Sequence, residues 1–88
     1  MKFKVAVFAP MPVSYGAITS RGPFSSIERA TEFARRETRK QSLINGKSYA
    51  TIKQFSPSIR DYVDVGTIYS EQGTITREPV PGWTDLTW

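Results

Sequence analysis

Two residue types are missing from this 88-residue chain, which has no cysteine and no histidine. Without cysteine it cannot form a disulfide, and without either residue it cannot build a zinc site from the usual sulfur and nitrogen ligands. The same side chains do most nucleophilic and near-neutral proton chemistry in enzymes. The eight acidic residues are scattered and form no D-x-D loop, so no calcium-type site is indicated either. We therefore expect a non-catalytic protein that uses no cofactor and no metal.

Long hydrophobic runs are also missing. The most apolar stretch, within MKFKVAVFAP at the start of the sequence, is too short for a signal peptide with its cleavage site or for a membrane span. The lack of cysteine fits a reducing compartment. We expect a single-domain, cytoplasmic protein that does not enter a membrane.

The charge of the chain is unevenly distributed. The net charge is +4, but residues 1–47 carry nine Lys or Arg against three Glu, and residues 48–88 carry three against five Asp or Glu. A molecule with one basic half attracts acidic partners toward that half.

The first half of the sequence predicts a strand, a loop and a helix. Residues 2–8 alternate, with Phe3, Val5 and Val7 on one face, which is typical of a strand with one buried side. Residues 9–23 contain three prolines and show no period, so they are predicted to form a loop. Ser25 and Glu28 match the capping box that starts a helix, and Gly46 is predicted to end it. The apolar stripe of this helix consists of Ile27, Ala30, Phe33 and Ala34.

The second half predicts β-structure. Residues 47–55 alternate, a turn follows, and residues 62–78 read as a hairpin around Glu71-Gln72-Gly73, with a bulge at Gly66. The order β–α–β–β–β predicts an α+β fold in which one amphipathic helix packs on a three- to four-stranded antiparallel sheet. Residues 1–78 would form this domain, and residues 79–88 a C-terminal tail folded back on it. We expect Trp83 to cover the sheet face that the helix leaves open, and Trp88 to be an exposed anchor for a partner.

The most prominent candidate binding surface is the basic side of the helix. Five cations can pair there with phosphates or with carboxylates of a partner. They are Arg29, Arg35, Arg36, Arg39 and Lys40. The alternative is a solvated face with internal pairing, such as Glu32 with Arg36. Tyr15 and Arg21, in the proline-containing segment, are further candidate contacts.

Two other functions stay open at this point. Proteins that bind single-stranded nucleic acid display aromatic and basic residues on a sheet face, and four residues could form such a platform: Tyr49, Lys53, Tyr62 and Tyr69. Against this, a face lined by Asp61, Asp64 and Glu71 would repel phosphate. The third possibility is an assembly protein that forms a homodimer through a sheet edge or through the tail.

The segment FSSIERATEFARRETRKQSLINGKSYATIKQF, roughly residues 24–55, resembles the helix and following strand of small bacteriophage accessory proteins, among them anti-CRISPR proteins. The resemblance implies an inhibitor or adaptor without catalysis, acting in the cytoplasm of a host cell. Its partner would be a host protein or nucleoprotein complex with an acidic surface.

Overall fold

The computed structural model describes residues 2–9 and 18–78. These ranges contain one helix and five strands in chain order: β1 Phe3–Phe8, β2 Thr19–Phe24, α1 Ile27–Asn45, β3 Lys47–Ser56, β4 Asp61–Glu71 and β5 Thr74–Arg77. The predictions for Tyr15, for Trp83 and Trp88, and for the 79–88 tail concern residues outside these ranges.

The strands form one antiparallel sheet in the order β2-β1-β3-β4-β5, and α1 packs on one of its faces. The predicted α+β class is confirmed, but the described sheet has five strands rather than three or four. The additional strand is β2, at the end of the segment predicted as a loop. Its sequence, TSRGPF, has little β-propensity and contains a proline, which an edge strand tolerates. Pairing with β1 determines its structure.

Helix α1 begins one residue later than the sequence predicts. Ser26 is the N-cap, with an extended backbone, and its side chain accepts a hydrogen bond from the Arg29 amide at 3.2 Å. The predicted Ser25–Glu28 capping box is therefore wrong, because the residue three positions after the true cap is Arg29. The predicted stop is confirmed, since Gly46 has φ 88° and donates its N–H to the Ser42 carbonyl at 2.8 Å.

The core lies between α1 and the sheet. Its fully buried side chains include Val5, Val7 and Ile52 from the central strands and Ile68 from β4. The helix contributes the predicted stripe, since Ala30, Phe33 and Ala34 are buried and Ile27 packs against them. The stripe continues with two polar residues that hydrophobic periodicity did not identify, Thr38 and Ser42, both without any solvent exposure.

Ser42 joins the C-terminal half of α1 to the β4–β5 hairpin. Its hydroxyl accepts a hydrogen bond from the Gly73 amide at 2.8 Å and is bonded to the Ser70 hydroxyl, also at 2.8 Å. The Ser70 hydroxyl in turn lies 3.0 Å from the Thr74 carbonyl oxygen. The predicted hairpin around Glu71-Gln72-Gly73 is confirmed, with Glu71 still in β4 and a turn of two residues, Gln72 and Gly73, that both have positive φ. These bonds fix the hairpin relative to the helix.

Strand β4 contains the predicted bulge. Gly66 pairs with Ile52 and Asp64 pairs with the next residue of β3, Lys53, so Val65 is an extra residue in β4. Val65 packs against the core. Because side chains alternate along a strand, this one insertion changes which residues of β4 reach each face. Tyr62 and Asp64 therefore lie on the same face as Thr67 and Tyr69, the face opposite the helix.

Candidate partner-binding surfaces

The predicted basic residues of α1 lie on two sides of the helix. Arg35 and Arg39 point toward the β4–β5 hairpin. The Arg35 guanidinium donates two hydrogen bonds to the Glu78 carboxylate, with Nε 3.0 Å from Oε2. Arg39 Nε donates to the Gly73 carbonyl oxygen at 3.3 Å. These two arginines are engaged within the protein, where they brace the hairpin against the helix.

Arg36 is next to Arg39 on the exposed surface of the helix but turns away from the hairpin, toward β2, which brings in Arg21. The Arg36 and Arg21 guanidinium carbons lie 5.6 Å and 5.5 Å from the centroid of the Phe33 ring. Phe33 is itself buried and lies against Phe24, with ring centroids 5.3 Å apart. The predicted pairing of Arg36 with Glu32 is wrong: among the described residues, Arg36 pairs with Glu37, with Nε 3.6 Å from Oε2. Both guanidinium groups thus lie within cation–π distance of one aromatic ring, while both arginines remain exposed.

Arg29 and Lys40 are exposed on the same side of α1 as Arg36. Their spacing from Arg36, seven residues before and four after, places the three on one arc of the helix. Within residues 2–9 and 18–78, neither Arg29 nor Lys40 forms an ion pair. We call the set Arg21, Arg29, Arg36 and Lys40 the basic helix surface.

The second candidate surface is the sheet face opposite α1. Among the described residues, no helix or strand packs on it. Strand register places its side chains in rows that cross the sheet. The aromatic row is Phe8–Tyr49–Tyr69, continued by Arg77 on β5. The middle row, Ala6–Thr51–Thr67, has small side chains, and the third row, Lys4–Lys53–Asp64, is charged. We call this surface the open sheet face.

The aromatic row is continuous across three strands. Phe8 and Tyr49 are stacked, with ring centroids 5.0 Å apart and planes at 15°. Tyr49 and Tyr69 follow at 5.9 Å, and the Arg77 guanidinium lies 5.9 Å from the Tyr69 centroid. Each ring therefore has at least one face against a neighbouring side chain, and Tyr69 is the most exposed of them, at 42%.

A second aromatic pair lies at the other end of the open sheet face. Phe55 and Tyr62 meet edge to face at 5.4 Å, and Lys4 Nζ lies 4.6 Å from the Tyr62 centroid. Lys53 is 3.9 Å from Asp64. This contact places the Asp64 carboxylate beside a cation.

The four platform residues predicted from the sequence do share this face. Asp64 and Glu71 share it too, as expected, whereas Asp61 pairs with Ser56 at the end of β4 and accepts a hydrogen bond from the Tyr62 amide at 2.7 Å. Sequence reasoning did not assign the other contributors to this surface. They are Phe8, Phe55, Lys4, Lys47 and Arg77. The alternation of residues 2–8 contained the signal for Lys4 and Phe8, which fall opposite the buried side of β1.

The described residues contain no group of three or more acidic side chains placed to hold a metal ion. No helix within the same ranges has the length and apolar character needed to cross a membrane. Comparison with known proteins found no matching family model, no matching curated protein and no matching solved structure.

Proposed function

We propose that this protein is a non-catalytic binding protein whose basic helix surface docks on an acidic region of a protein or nucleoprotein partner. The supporting observation is the placement of Arg21 and Arg36 on the Phe33 ring. A cation–π contact leaves guanidinium N–H groups able to form bidentate bonds with carboxylates. A contact with the ring favours guanidinium positions beside it, which lowers the conformational entropy lost when a partner binds.

The open sheet face argues against direct binding of single-stranded nucleic acid. Base recognition on a sheet requires an aromatic ring whose flat face is free to stack on a base. Here Phe8 and Tyr49 stack on each other, Arg77 lies near Tyr69, and Lys4 lies over Tyr62. The arrangement instead favours a protein surface as the partner, and a nucleoprotein would be contacted through its protein component. In this proposal, binding covers the partner's surface and thereby inhibits it.

The test is to measure how much of each partner protein is captured from a lysate of the bacterial host that the phage resemblance implies. The full chain is compared with an Arg29→Glu, Lys40→Glu variant. Reversing two exposed charges should weaken capture of the principal partner at least about tenfold, because close charge pairs across interfaces contribute this much or more. Arg60→Glu, in the exposed β3–β4 turn, reverses one charge away from α1 and should leave capture unchanged, and Arg29→Glu alone is its charge-matched counterpart on the helix.

Two results would contradict the proposal. One is retention of the same partner at equal strength by the helix variant. The other is binding of a bare oligonucleotide that is tighter than binding of any protein and weakens steeply as salt is raised, which would show direct nucleic-acid binding.

A further inference from the structure

The open sheet face carries residues that the basic helix surface does not use, and its rows define a shape. Tyr49 and Lys53 are four residues apart on β3, so the aromatic and charged rows are separated by about 13 Å along the strand. Between them lies the small row, whose central residue Thr51 is 8% exposed. The result is a shallow trough that crosses three strands, with an aromatic wall on one side and a charged wall on the other.

A hollow lies at the β5 side of the aromatic row. Tyr49 and Tyr69 line it together with two exposed cations, Lys47 and Arg77, and with Glu71. Three hydroxyl residues complete the lining: Ser48, Ser70 and Thr76. A site of this composition can hold an apolar anchor against the tyrosines while the cations contact a carboxylate next to it in sequence.

The charges of the whole face select among possible occupants. Strand register and alternation place four cations on it, Lys4, Lys47, Lys53 and Arg77, against two acids, Asp64 and Glu71. A second copy packing face to face would bring together two surfaces of the same positive sign, which opposes association. A nucleic-acid strand would need free ring faces for successive bases, and the stacking of Phe8 on Tyr49 and the cations near Tyr69 and Tyr62 leave few of them. An acidic polypeptide is attracted by the cations and needs only one apolar contact, for which the exposed part of Tyr69 is available.

We propose that the open sheet face is a second docking surface, whose occupant is an acidic segment of a partner protein with an aromatic or aliphatic anchor. The anchor occupies the hollow beside the Tyr49–Tyr69 pair, on its β5 side, and neighbouring carboxylates contact Lys47 and Arg77. The ring contacts hold the tyrosines in their bound positions before the segment arrives, so little side-chain freedom is lost on binding. This surface is separate from the basic helix surface, and either proposal can fail without the other.

The experiment is selection of a random twelve-residue peptide library on the immobilised full chain, followed by affinity measurement for the enriched peptides. The expected peptides are rich in Asp and Glu and contain at least one aromatic or aliphatic residue. Arg77→Glu and Tyr69→Ser should each weaken their binding about tenfold or more, the usual effect of losing an interface anchor. Arg60→Glu makes the same charge change at the opposite end of β4 and should leave the affinity within about twofold.

Because Arg77 and Tyr69 are exposed, circular dichroism and unfolding in urea will show whether the variants keep the fold. If Tyr69→Ser fails to fold, Tyr69→Lys replaces it. The binding site is then also located on the unmodified protein, from the changes in backbone amide chemical shifts when a selected peptide is added. The largest shifts are expected in β3, β4 and β5 around the aromatic row.

Four outcomes would overturn the inference. The first is a selection that yields no binders or only basic ones. The second is binding that survives Arg77→Glu and Tyr69→Ser but is lost in the Arg29→Glu, Lys40→Glu variant, which would assign the peptides to the basic helix surface. The third is a dimer, detected by ultracentrifugation, that Tyr69→Ser disrupts, which would make a second copy the occupant. The fourth is binding only when Trp83 and Trp88 are both changed to Ala, which would assign the face to the chain's own C-terminal segment.

Discussion

Thr38 offers the sharpest test of how α1 is held on the sheet. Its side chain is fully buried, and its hydroxyl oxygen has no hydrogen-bond partner among the described residues. Burying a hydroxyl without a partner costs about 1–3 kcal/mol relative to water. Valine has nearly the same shape, no hydroxyl and a similar helix propensity. Thr38→Val should therefore raise the free energy of unfolding by about 1 kcal/mol, the lower end of this range.

The change can be measured by urea unfolding followed with far-UV circular dichroism. A gain of about 1 kcal/mol corresponds to a rise in Tm of about 4–8 °C for a domain of this size. The dependence of the free energy on urea concentration should be unchanged, because the two proteins expose the same surface on unfolding. Thr38→Ser is the control: it keeps the hydroxyl and loses a buried methyl group, and should lower stability by about 1 kcal/mol.

One result would refute the reasoning. If Thr38→Val unfolds at lower urea than the unmodified protein, with an unchanged slope, the hydroxyl is satisfied in the folded state. The helix would then be held by a polar contact at this position, and not by apolar packing alone.

Further predictions concern the same unfolding measurement. Ser42→Ala should lower stability by about 2 kcal/mol, because it removes the bonds between helix and hairpin and leaves an amide without its acceptor; a loss below about 0.5 kcal/mol would contradict this role. Gly46→Ala should cost about 1 kcal/mol for its φ of 88°, with nothing within 4 Å of the new methyl group. Gly22→Ala should cost more, since its Cβ would lie 2.9 Å from the Phe3 carbonyl oxygen; equal losses at the two glycines would exclude this clash. Glu78→Gln, which loses an exposed ion pair, should cost less than about 1 kcal/mol, and the effect should shrink in high salt.

The sequence pattern predicted the strands, helix end and turn whose conformation is set by residues close by in the chain. The alternation of β1 and β3, the glycine that ends α1 and the turn at Gly73 are each determined by neighbouring residues. Strand β2 was missed because its residues do not favour β-structure, and its pairing with β1 determines its conformation. Thr38 and Ser42 were missed for a related reason: a hydrophobic stripe does not show polar residues whose burial depends on the sheet.

The candidate surfaces were predicted in part. Helical periodicity identified the cations of α1, but it could not show that Arg35 and Arg39 are engaged by Glu78 and Gly73, more than 30 residues away. Nor could it place Arg21 beside the helix. The tyrosines of the open sheet face were suspected from alternation within each strand. Their joining into one row depends on register between strands, and no single segment contains that information.

The extra residue in β4 determines where this strand can lose a residue without losing its fold. Removing Val65 would restore regular pairing between β3 and β4 and leave every other side chain of β4 on its present face. Removing Gly66 would have the same effect, because Val65 would then take its place opposite Ile52. Removing a residue farther along either arm, with the bulge kept, would turn part of the strand over, exchanging tyrosine for valine or isoleucine between solvent and core. The bulge residues Val65 and Gly66 are therefore the positions in β4 where a deletion is best tolerated, and a homologue one residue shorter in this strand should show its gap there.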